Sequence, residues 1–525
     1  MAQRDSSHPE LKLPDPARPV GPFELFLTVF VTGFAVMTIE IVGTRVIGPV
    51  FGVGLFVWSA LIAVTLGALA SGYYAGGVLA DRRLTPTTLG SAVTAAGLLL
   101  ALASLAGHGV LSVAEGWGQR GGALFGATLL FAPTLVALGM TGPIAVRLKT
   151  KSLAQAGRGL GSVYAISTAG SLVGTLVVGF VAIPAFDANA ILASTAGVLV
   201  LVGAVALALR KRPLALGLLL GPMLALAGSS RALPAGFKLL DRSQSLLGLV
   251  EVIDDENRGI RFLRSDHSIL GATYVRDGSP GFGFVSVLEA IRFCRPAAKR
   301  VLNIGLGSGA VPSALGRLGM VVDVVEIDPG IVRFAQKHFD FAATGQVYAE
   351  DARAFLRRTE TRYDLIVHDT FTGGATPEHL LSLEVLQRVH AVLRPGGVLA
   401  LNFVGYYEGA PAEASYAVAR TLRAVFRHVH AYRDSAPDPS EPVGNILFFA
   451  SDAPIEFNIP PDTHFANASE EQIQRSFTNW KVMDHVPDGS LVTDAKNPLG
   501  RLQLPIAERH FAAMNELLPK EVWLD

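Results

Sequence analysis

Two hydrophobic rhythms divide the chain. From Phe23 to about Gly228 the apolar residues form long unbroken runs; beyond Ser230 they form short runs separated by polar turns. The long runs predict about seven membrane segments, near 23–44, 55–80, 88–107, 121–146, 160–184, 188–209 and 213–229, because crossing the hydrocarbon core takes roughly 20 apolar residues. The last is short and contains Pro222, which suits a re-entrant or interfacial segment. In "STAGSLVGTLVVG" (167–179), Gly170, Gly174 and Gly179 predict close approach of neighbouring helix backbones. Residues 1–20 are polar and proline-rich, lack the apolar core of a signal peptide, and read as a disordered tail. The helical membrane domain is therefore expected over 21–230.

The short runs predict a different architecture. Residues 231–245 read as a linker, and "LLGLVEVID" (246–254), "DENRG" (255–259) and "IRFLRSDHSILGATYV" (260–275) alternate as a small β-meander or a pair of hairpins. The linker and small β domain together occupy 231–282. Residues 284–294 carry a helical pattern. From 299 to about 450, strand-like and helix-like segments alternate, the pattern of a doubly wound parallel sheet. The fold class is thus a multi-pass α-helical membrane domain plus a Rossmann-like, methyltransferase-type α/β domain (283–455), with the small β domain before it. Residues 456–525 form a mixed, partly irregular C-terminal extension.

Composition supports the membrane class: 50% of the 525 residues are hydrophobic and only 17% charged, and the mean hydropathy is +0.41. Net charge is +0, so no global basic field argues for a nucleic-acid partner. The placement of charge says more. Arg82 and Arg83, then Arg147, Lys149, Lys151 and Arg158, then Arg210, Lys211 and Arg212 fall between the apolar runs. Positive charge retained inside puts these loops and the N-terminus in the cytoplasm of a protein spanning the cell (inner) membrane. Seven full crossings would leave the C-terminal half outside. A seventh segment that does not cross leaves it in the cytoplasm, which is the expected side. Glu40 and Arg45 close the first predicted span, either as an interfacial pair that orients the helix or as part of a transport path. The single cysteine, Cys294, allows no intrachain disulfide and reads as a buried structural thiol, and the 12 histidines show no metal-ligand spacing, so no metal is expected.

The chemistry-bearing stretch is "RVLNIGLGSGAVPSAL". It reads as strand, glycine turn and helix, with Gly305, Gly307 and Gly309 removing side chains where the backbone bends towards a ligand. The next strand, "VVDVVEID", carries Glu326 near its tip, where an acid accepts hydrogen bonds from both ribose hydroxyls. The GxGxxG dinucleotide pattern is not met and the lysine of a phosphate-binding loop is missing, so a nucleoside with little or no phosphate fits better than NAD or ATP. Asp351 follows a short strand and precedes a helix, as an adenine ligand or as a helix cap. Asp369 ends "YDLIVHD", beside the topological switch point or as a turn residue before "TFTGG".

In order, "VLNIGLGSG", "VVEIDPGIV", "EDARAFL", "YDLIVHDTF" and "VLRPGGVLALN" resemble the spermidine synthase family, the polyamine aminopropyltransferases, over roughly residues 243–450. "GGVLADR" (76–82) and "YAISTAGSLVGT" (164–175) are similar to the branch of that family with a fused multi-span region. The resemblance implies decarboxylated S-adenosylmethionine as co-substrate, held by Gly305, Gly307, Ser308, Gly309, by Glu326 with Ile327 and Asp328 at the ribose, and by Asp351 with Ala352 at the adenine. It implies Asp369 as general base for an amine or polyamine acceptor, and Thr370, Thr372 and Tyr406 as acceptor contacts. Because soluble relatives are oligomers, it also implies a possible homodimer beside the lipid bilayer.

The sequence departs from that family at two carboxylates. Ser308 stands where soluble members carry an Asp that holds the aminopropyl ammonium, and Thr372 stands where a second acceptor-binding acid is usual. The Gln and Tyr-His-Glu elements of the family are also not evident in 267–284. Burying an unpaired ammonium is costly, so these losses point away from an unmodified polyamine specificity. Ser308 would tolerate the carboxylate of ordinary S-adenosylmethionine, so a methyltransferase acting on an amine or membrane-delivered substrate is the alternative, and a polyamine transport or sensing module a third. "LVTDAKNPL" (491–499) reads as a turn near the site mouth. Tyr432 reads as an exposed residue before a long loop, and Tyr407, with Tyr406, as lining the acceptor side.

Overall fold

The computed structural model describes residues 20–51, 55–82, 84–150, 156–210, 233–245, 248–371, 374–438 and 441–523. The chain divides into two compact units. One comprises Met1–Ile47 and Leu55–Arg231, the other Gly48–Gly54 and Ala232–Asp525.

The N-terminal unit contains six long apolar helices among the described residues. They are α1 (Pro22–Phe51), α2 (Leu55–Arg82), α3 (Pro86–Glu115), α4 (Gly118–Lys149), α5 (Ala156–Val177) and α6 (Ala188–Ala208). Helices of 28 to 32 residues reach well past the roughly 30 Å hydrocarbon core at 1.5 Å per residue. Six of the expected spans thus appear as helices; the first four run longer than expected, whereas α6 matches its expected span to within one residue. Glu40 and Arg45 lie inside α1 rather than at its end. The seventh expected segment, 213–229, lies outside the described residues. The α3 start is built by sequence: Thr85 makes a capping box with Thr88, and Pro86 takes the first helical position. A π-helical turn, Val178–Ala182, continues α5 to Ala185.

Small residues set the helix crossings. A side chain on Gly170 would collide with the Phe30 carbonyl, and one on Gly174 would stand 2.8 Å from the Phe34 carbonyl oxygen. Gly33 meets Ser167 in the same way, so α1 and α5 touch backbone to backbone. Gly179 meets nothing and has no such role. At one end of this unit, Arg210 is buried and donates to Glu24 at 2.7 Å, while Lys149 donates to Ser162 and lies 3.9 Å over the Phe26 ring. The starts of α1 and α5 and the ends of α4 and α6 therefore share one basic end.

The C-terminal unit opens with an antiparallel meander: β1 (Phe237–Gln244), β2 (Leu249–Asp255), β3 (Ile260–Ser265) and β4 (Ser268–Tyr274), ordered β1-β2-β3-β4. The expected linker is thus partly strand from Phe237 onward. Its weak alternation was masked by a register shift between Leu239 and Asp241. Val250, Val252 and Leu263 join the core of the following domain, whereas Ile253, Phe262, Ile269 and Ala272 pack with Leu518, Val522 and Trp523. The chain's last described residues therefore cover the meander's other face.

An eight-stranded sheet follows, ordered β12-β10-β11-β9-β8-β5-β6-β7. The parallel part comprises β5 (Arg300–Ile304), β6 (Val321–Glu326), β7 (Val347–Ala349), β8 (Tyr363–His368) and β9 (Leu393–Tyr406). Both its faces are buried. Leu302, Ile304, Ile366, Leu399 and Leu401 pack on one side; Val301, Leu365, Val367, Val398 and Ala400 pack on the other. The expected sheet is parallel only to β9. β10 (His428–Arg433), β11 (Val443–Ser451) and β12 (Lys481–Val482) add antiparallel, so part of the C-terminal extension belongs to the sheet. Tyr432 is no exposed loop residue. It is buried in β10 among Phe449, Phe457 and Phe477. The half-buried Cys294 has its thiol pushed up to about 12 by desolvation, as an inert structural thiol should.

Candidate functional site

The site forms where β5 lies between β6 and β8, so that loops leaving β5 and β8 diverge and open a crevice. β5 ends at Ile304 and turns through Gly305–Ser308 into a helix over Ala310–Arg317. Gly305 has φ +87°, and a side chain there would collide with the Asp369 carbonyl oxygen, so only glycine lets the two loops pass. Its N–H donates to the Val325 carbonyl at 2.8 Å, and the Asp369 N–H donates to the Ile304 carbonyl at 2.8 Å. Backbone bonds therefore fix the two loops against each other.

The turn presents a cavity of about 290 Å³, near the lower end for small-ligand sites. Gly305, Gly307, Glu326, Ile327, Asp328, Asp351, Ala352, Asp369 and Thr370 all line it, so the structure brings most of the expected residues together. Gly309 does not line it but caps the Ala310–Arg317 helix with φ +79°. Ser308 faces a neighbouring void of about 20 Å³, shared with Asn303 and Asp369, and packs against Gly271 of β4. Tyr406 packs on the core outside the cavity wall, and Tyr407 is buried with the Arg433 guanidinium 3.8 Å over its ring. Thr372 lies outside the described residues.

Glu326 is buried, and its carboxylate accepts from the Leu306 N–H at 2.9 Å and the Asp328 N–H at 3.0 Å. Desolvation outweighs these bonds and pushes the carboxyl up to about 7. Each oxygen thus takes at least one backbone donor, and the Glu326 side of the cavity can still accept from a ligand, since a carboxylate has about four acceptor sites. Asp328 and Asp351 are both helix caps. Asp328 accepts from Gly330 N–H at 2.7 Å, and Asp351 accepts from Ala354 N–H at 2.9 Å through Oδ1. The cap reading of Asp351 therefore holds, with its Oδ2 left 3.4 Å from His379 Nε2 beside the cavity.

Asp369 sits at the carboxyl end of β8, where Asn402 of β9 donates to its Oδ1 at 3.0 Å. Desolvation raises its pKa and the Asn402 bond partly offsets this. No lysine, arginine or histidine nitrogen lies within 4 Å of it among the described residues. The Thr370 hydroxyl is buried with no hydrogen-bond partner.

Several wall residues were not anticipated. Asn402 had a signal: a polar amide interrupts the apolar run of a strand buried on both faces. His510 and Met514, from the helix Leu504–Leu517, had none, because nothing local says that this helix folds back over the cavity. His510 stacks edge-on to Phe371 at 4.8 Å and lies 3.3 Å from the Ser268 hydroxyl. Burial pushes its imidazole down to about 4, so it is neutral at physiological pH. "LVTDAKNPL" does not line the cavity; Asp494 pairs with Arg353, and Asn497 donates at 2.9 Å to the carbonyl of Glu378, which lies between the lining residues Pro377 and His379.

Residues 288–432 match the family model described as the spermine/spermidine synthase domain, a stretch that includes Gly305, Glu326, Asp351, Asp369 and Asn402. The C-terminal unit thus contains a spermine/spermidine synthase domain. The synthase domain is similar to a polyamine aminopropyltransferase of Vibrio vulnificus, 38% identical over 128 residues, or 23% of this chain and 43% of that one. An N-terminal histidine N-methyltransferase of Emericella nidulans is 31% identical over 326 residues, 55% of this chain and 58% of its own. The chain thus spans about half the length of these curated relatives. A probable spermidine synthase structure from Corynebacterium glutamicum aligns over 47% of this chain and 88% of its own, at 19% identity and a TM-score of 0.37.

Proposed function

We propose that the C-terminal unit is a spermidine-synthase-like transferase. It moves an aminopropyl group from decarboxylated S-adenosylmethionine to an amine, with Asp369 as general base. The reading is carried by one arrangement: a carboxylate without a counter-ion, oriented by Asn402, at the crevice where the glycine turn and Glu326 would hold a nucleoside. The acceptor sites left on Glu326 suit a vicinal ribose diol. Asp351 Oδ2 suits the adenine amino group. Glycine at 305 and 307 lets the sulfonium approach the backbone.

An alkylamine is almost fully protonated at neutral pH, with a pKa near about 10. Asp369 takes its proton, the freed nitrogen lone pair forms the new N–C bond, and the C–S bond breaks towards sulfur, which leaves as a neutral thioether. A desolvated carboxylate with a raised pKa is a stronger base, and a bound sulfonium favours its ionised form. Positioning the two reactants in line supplies most of the remaining gain.

A second reading is methyl transfer from ordinary S-adenosylmethionine to a nitrogen. It is favoured by the match to the fungal methyltransferase, which covers more than twice as much of this chain as the Vibrio match, and by Ser308 in place of an acid. The bound nucleoside product separates the readings. Purified full-length chain given each donor and a panel of amines should release methylthioadenosine in the first case and S-adenosylhomocysteine in the second. Release of neither would overturn both. The basic end shared by the starts of α1 and α5 and the ends of α4 and α6 supports a cytoplasmic N-terminus in a multi-pass membrane protein. A nucleoside donor made in the cytoplasm calls for a cytoplasmic synthase domain as well.

A further inference from the structure

The void of about 20 Å³ beside the main cavity brings three polar side chains together: Asn303, Ser308 and Asp369. Sheet register puts two of them on one face. Asn303 of β5 lies opposite Val367 of β8, and side chains alternate along a strand, so Asn303 and Asp369 project to the same side. Asn303 is buried, and its strand neighbours Leu302 and Ile304 are fully buried. Its Nδ2 donates to the Gly305 carbonyl, which decides which end of the amide is the oxygen. That oxygen, Oδ1, is buried with no hydrogen-bond partner. An apolar side chain would occupy this strand position at less cost, because an orphaned buried acceptor forfeits its hydration.

The rest of the void wall is largely apolar, with Leu270, Phe282, Leu306 and Val311. A space of that size takes one water molecule, which needs two to four polar partners to stay. The three side chains supply them in the right sense. A water would donate one O–H to Asn303 Oδ1 and the other to the Asp369 carboxylate, and would accept from the Ser308 hydroxyl. The Asp369 carboxylate has room for this second donor, since only the Asn402 amide is recorded on its Oδ1. We propose that the void is a site for one structural water, held by Asn303 and Ser308, which hydrogen-bonds Asp369 and makes those two side chains positioning residues for the base. The catalytic meaning rests on the reading of Asp369 as general base; the water site does not.

Crystals of the full-length protein with methylthioadenosine, at a resolution that shows ordered water, should carry a density peak within about 3.2 Å of Asn303 Oδ1, Ser308 Oγ and the Asp369 carboxylate. Infrared titration then follows the Asp369 carboxyl, assigned by its loss in Asp369→Asn. A donor to the ionised form holds a carboxyl pKa down, so removing the water's anchors should raise the midpoint. Ser308→Ala and Asn303→Val should each raise it by about one pH unit, close to the worth of one hydrogen bond, and should move the rising limb of the pH–rate profile equally. Ser308→Ala adds no atom near Asp369, so a shift there cannot come from a new apolar contact. The other titratable groups on the cavity wall, Glu326, Asp328, Glu350, Asp351, His379 and His510, stay as they are in both variants. Thermal unfolding and methylthioadenosine binding report that the variants fold. Absence of the peak, filling of the void by the ligand itself, or a midpoint unmoved in Ser308→Ala would overturn the proposal. Turnover retained by Asp369→Asn would instead leave the water in place and remove the base.

Discussion

Glu326 gives the nucleoside site a quantitative test. Its carboxyl ordinarily titrates at 4.5 and is pushed up to about 7 by burial, against the pull of the Leu306 and Asp328 N–H groups. A ribose diol donates two hydrogen bonds, and only the ionised carboxylate is acceptor at both oxygens. With a pKa of about 7 in the free protein, the ionised fraction falls from about 0.9 at pH 8 to about 0.1 at pH 6. The dissociation constant of methylthioadenosine should therefore rise about tenfold over that range. The sign for folding is the reverse of a salt-bridged acid. The raised pKa means the fold favours the protonated form, so this group's effect on stability is best below 4.5 and worsens as pH rises to about 7. Calorimetry at pH 6, 7 and 8 measures the binding. Glu326→Gln should remove the pH dependence and weaken binding about 10- to 150-fold, the equivalent of one charged hydrogen bond at about 1.5–3 kcal/mol. Wild-type binding that is flat between pH 6 and 8, or a slope that persists in Glu326→Gln, would refute the reasoning.

Further outcomes follow from the same geometry. Asp369→Asn should abolish product formation in a coupled nucleoside assay while methylthioadenosine affinity stays within about threefold, because the amide cannot take the proton. Asn402→Leu removes the bond that favours the ionised form of Asp369, so the rising limb of the pH–rate profile should move to higher pH and kcat should fall about tenfold at neutral pH. Gly305→Ala forces a side chain into the Asp369 carbonyl at φ +87°, and should cost nucleoside binding outright together with about 1–3 kcal/mol of stability, read by thermal unfolding with and without ligand. Gly170→Leu should part α1 from α5 and lower the unfolding temperature in detergent without altering methylthioadenosine affinity.

The convergence of Gly305, Glu326 and Asp351 on one cavity was legible because its information is local. Gly305, Glu326 and Asp351 each sit at the junction of one strand and the next turn or helix, and hydrophobic periodicity alone places such junctions at one end of a parallel sheet. The membrane helices were legible for the same reason, though their true ends were not. α1 continues through Glu40 and Arg45 because a helix long enough to pass the bilayer can carry charge in its last turns. What escaped reading was every residue delivered by a long return of the chain. The antiparallel strands β10 and β11 read as further α/β units, Tyr432 as a loop residue, and β12 and the helix bearing His510 as parts of a mixed, partly irregular extension, since nothing near each of them in sequence states its partner. Ser268 and His510 touch across 242 positions.

That division has a chemical consequence. The residues proposed to hold the donor, Gly305, Gly307, Glu326 and Asp351, all lie inside 288–432, the stretch that matches the spermine/spermidine synthase domain. The rest of the cavity wall includes Leu270 from the meander, Asn445 from β11, and His510 and Met514 from the last long helix, all outside that stretch, and in the proposed reading this side receives the acceptor. Substitutions at the second set can change which nitrogen reaches Asp369 without disturbing the backbone bonds that fix Gly305 and Glu326. Such a frame suits both proposed readings, aminopropyl transfer and methyl transfer. Ser308 lies at the seam between the two sets: its side chain is turned onto Gly271 of the meander, away from the larger cavity. Any route from Ser308 to the proposed donor runs through the void it shares with Asn303 and Asp369. A Ser308→Asp variant would crowd Gly271 before it could reach a donor ammonium, so simple restoration of the family's acid should destabilise the meander contact rather than improve turnover with decarboxylated S-adenosylmethionine. A gain in that activity without loss of thermal stability would show that the loop reorients on binding and that the separation of donor and acceptor frames is not fixed.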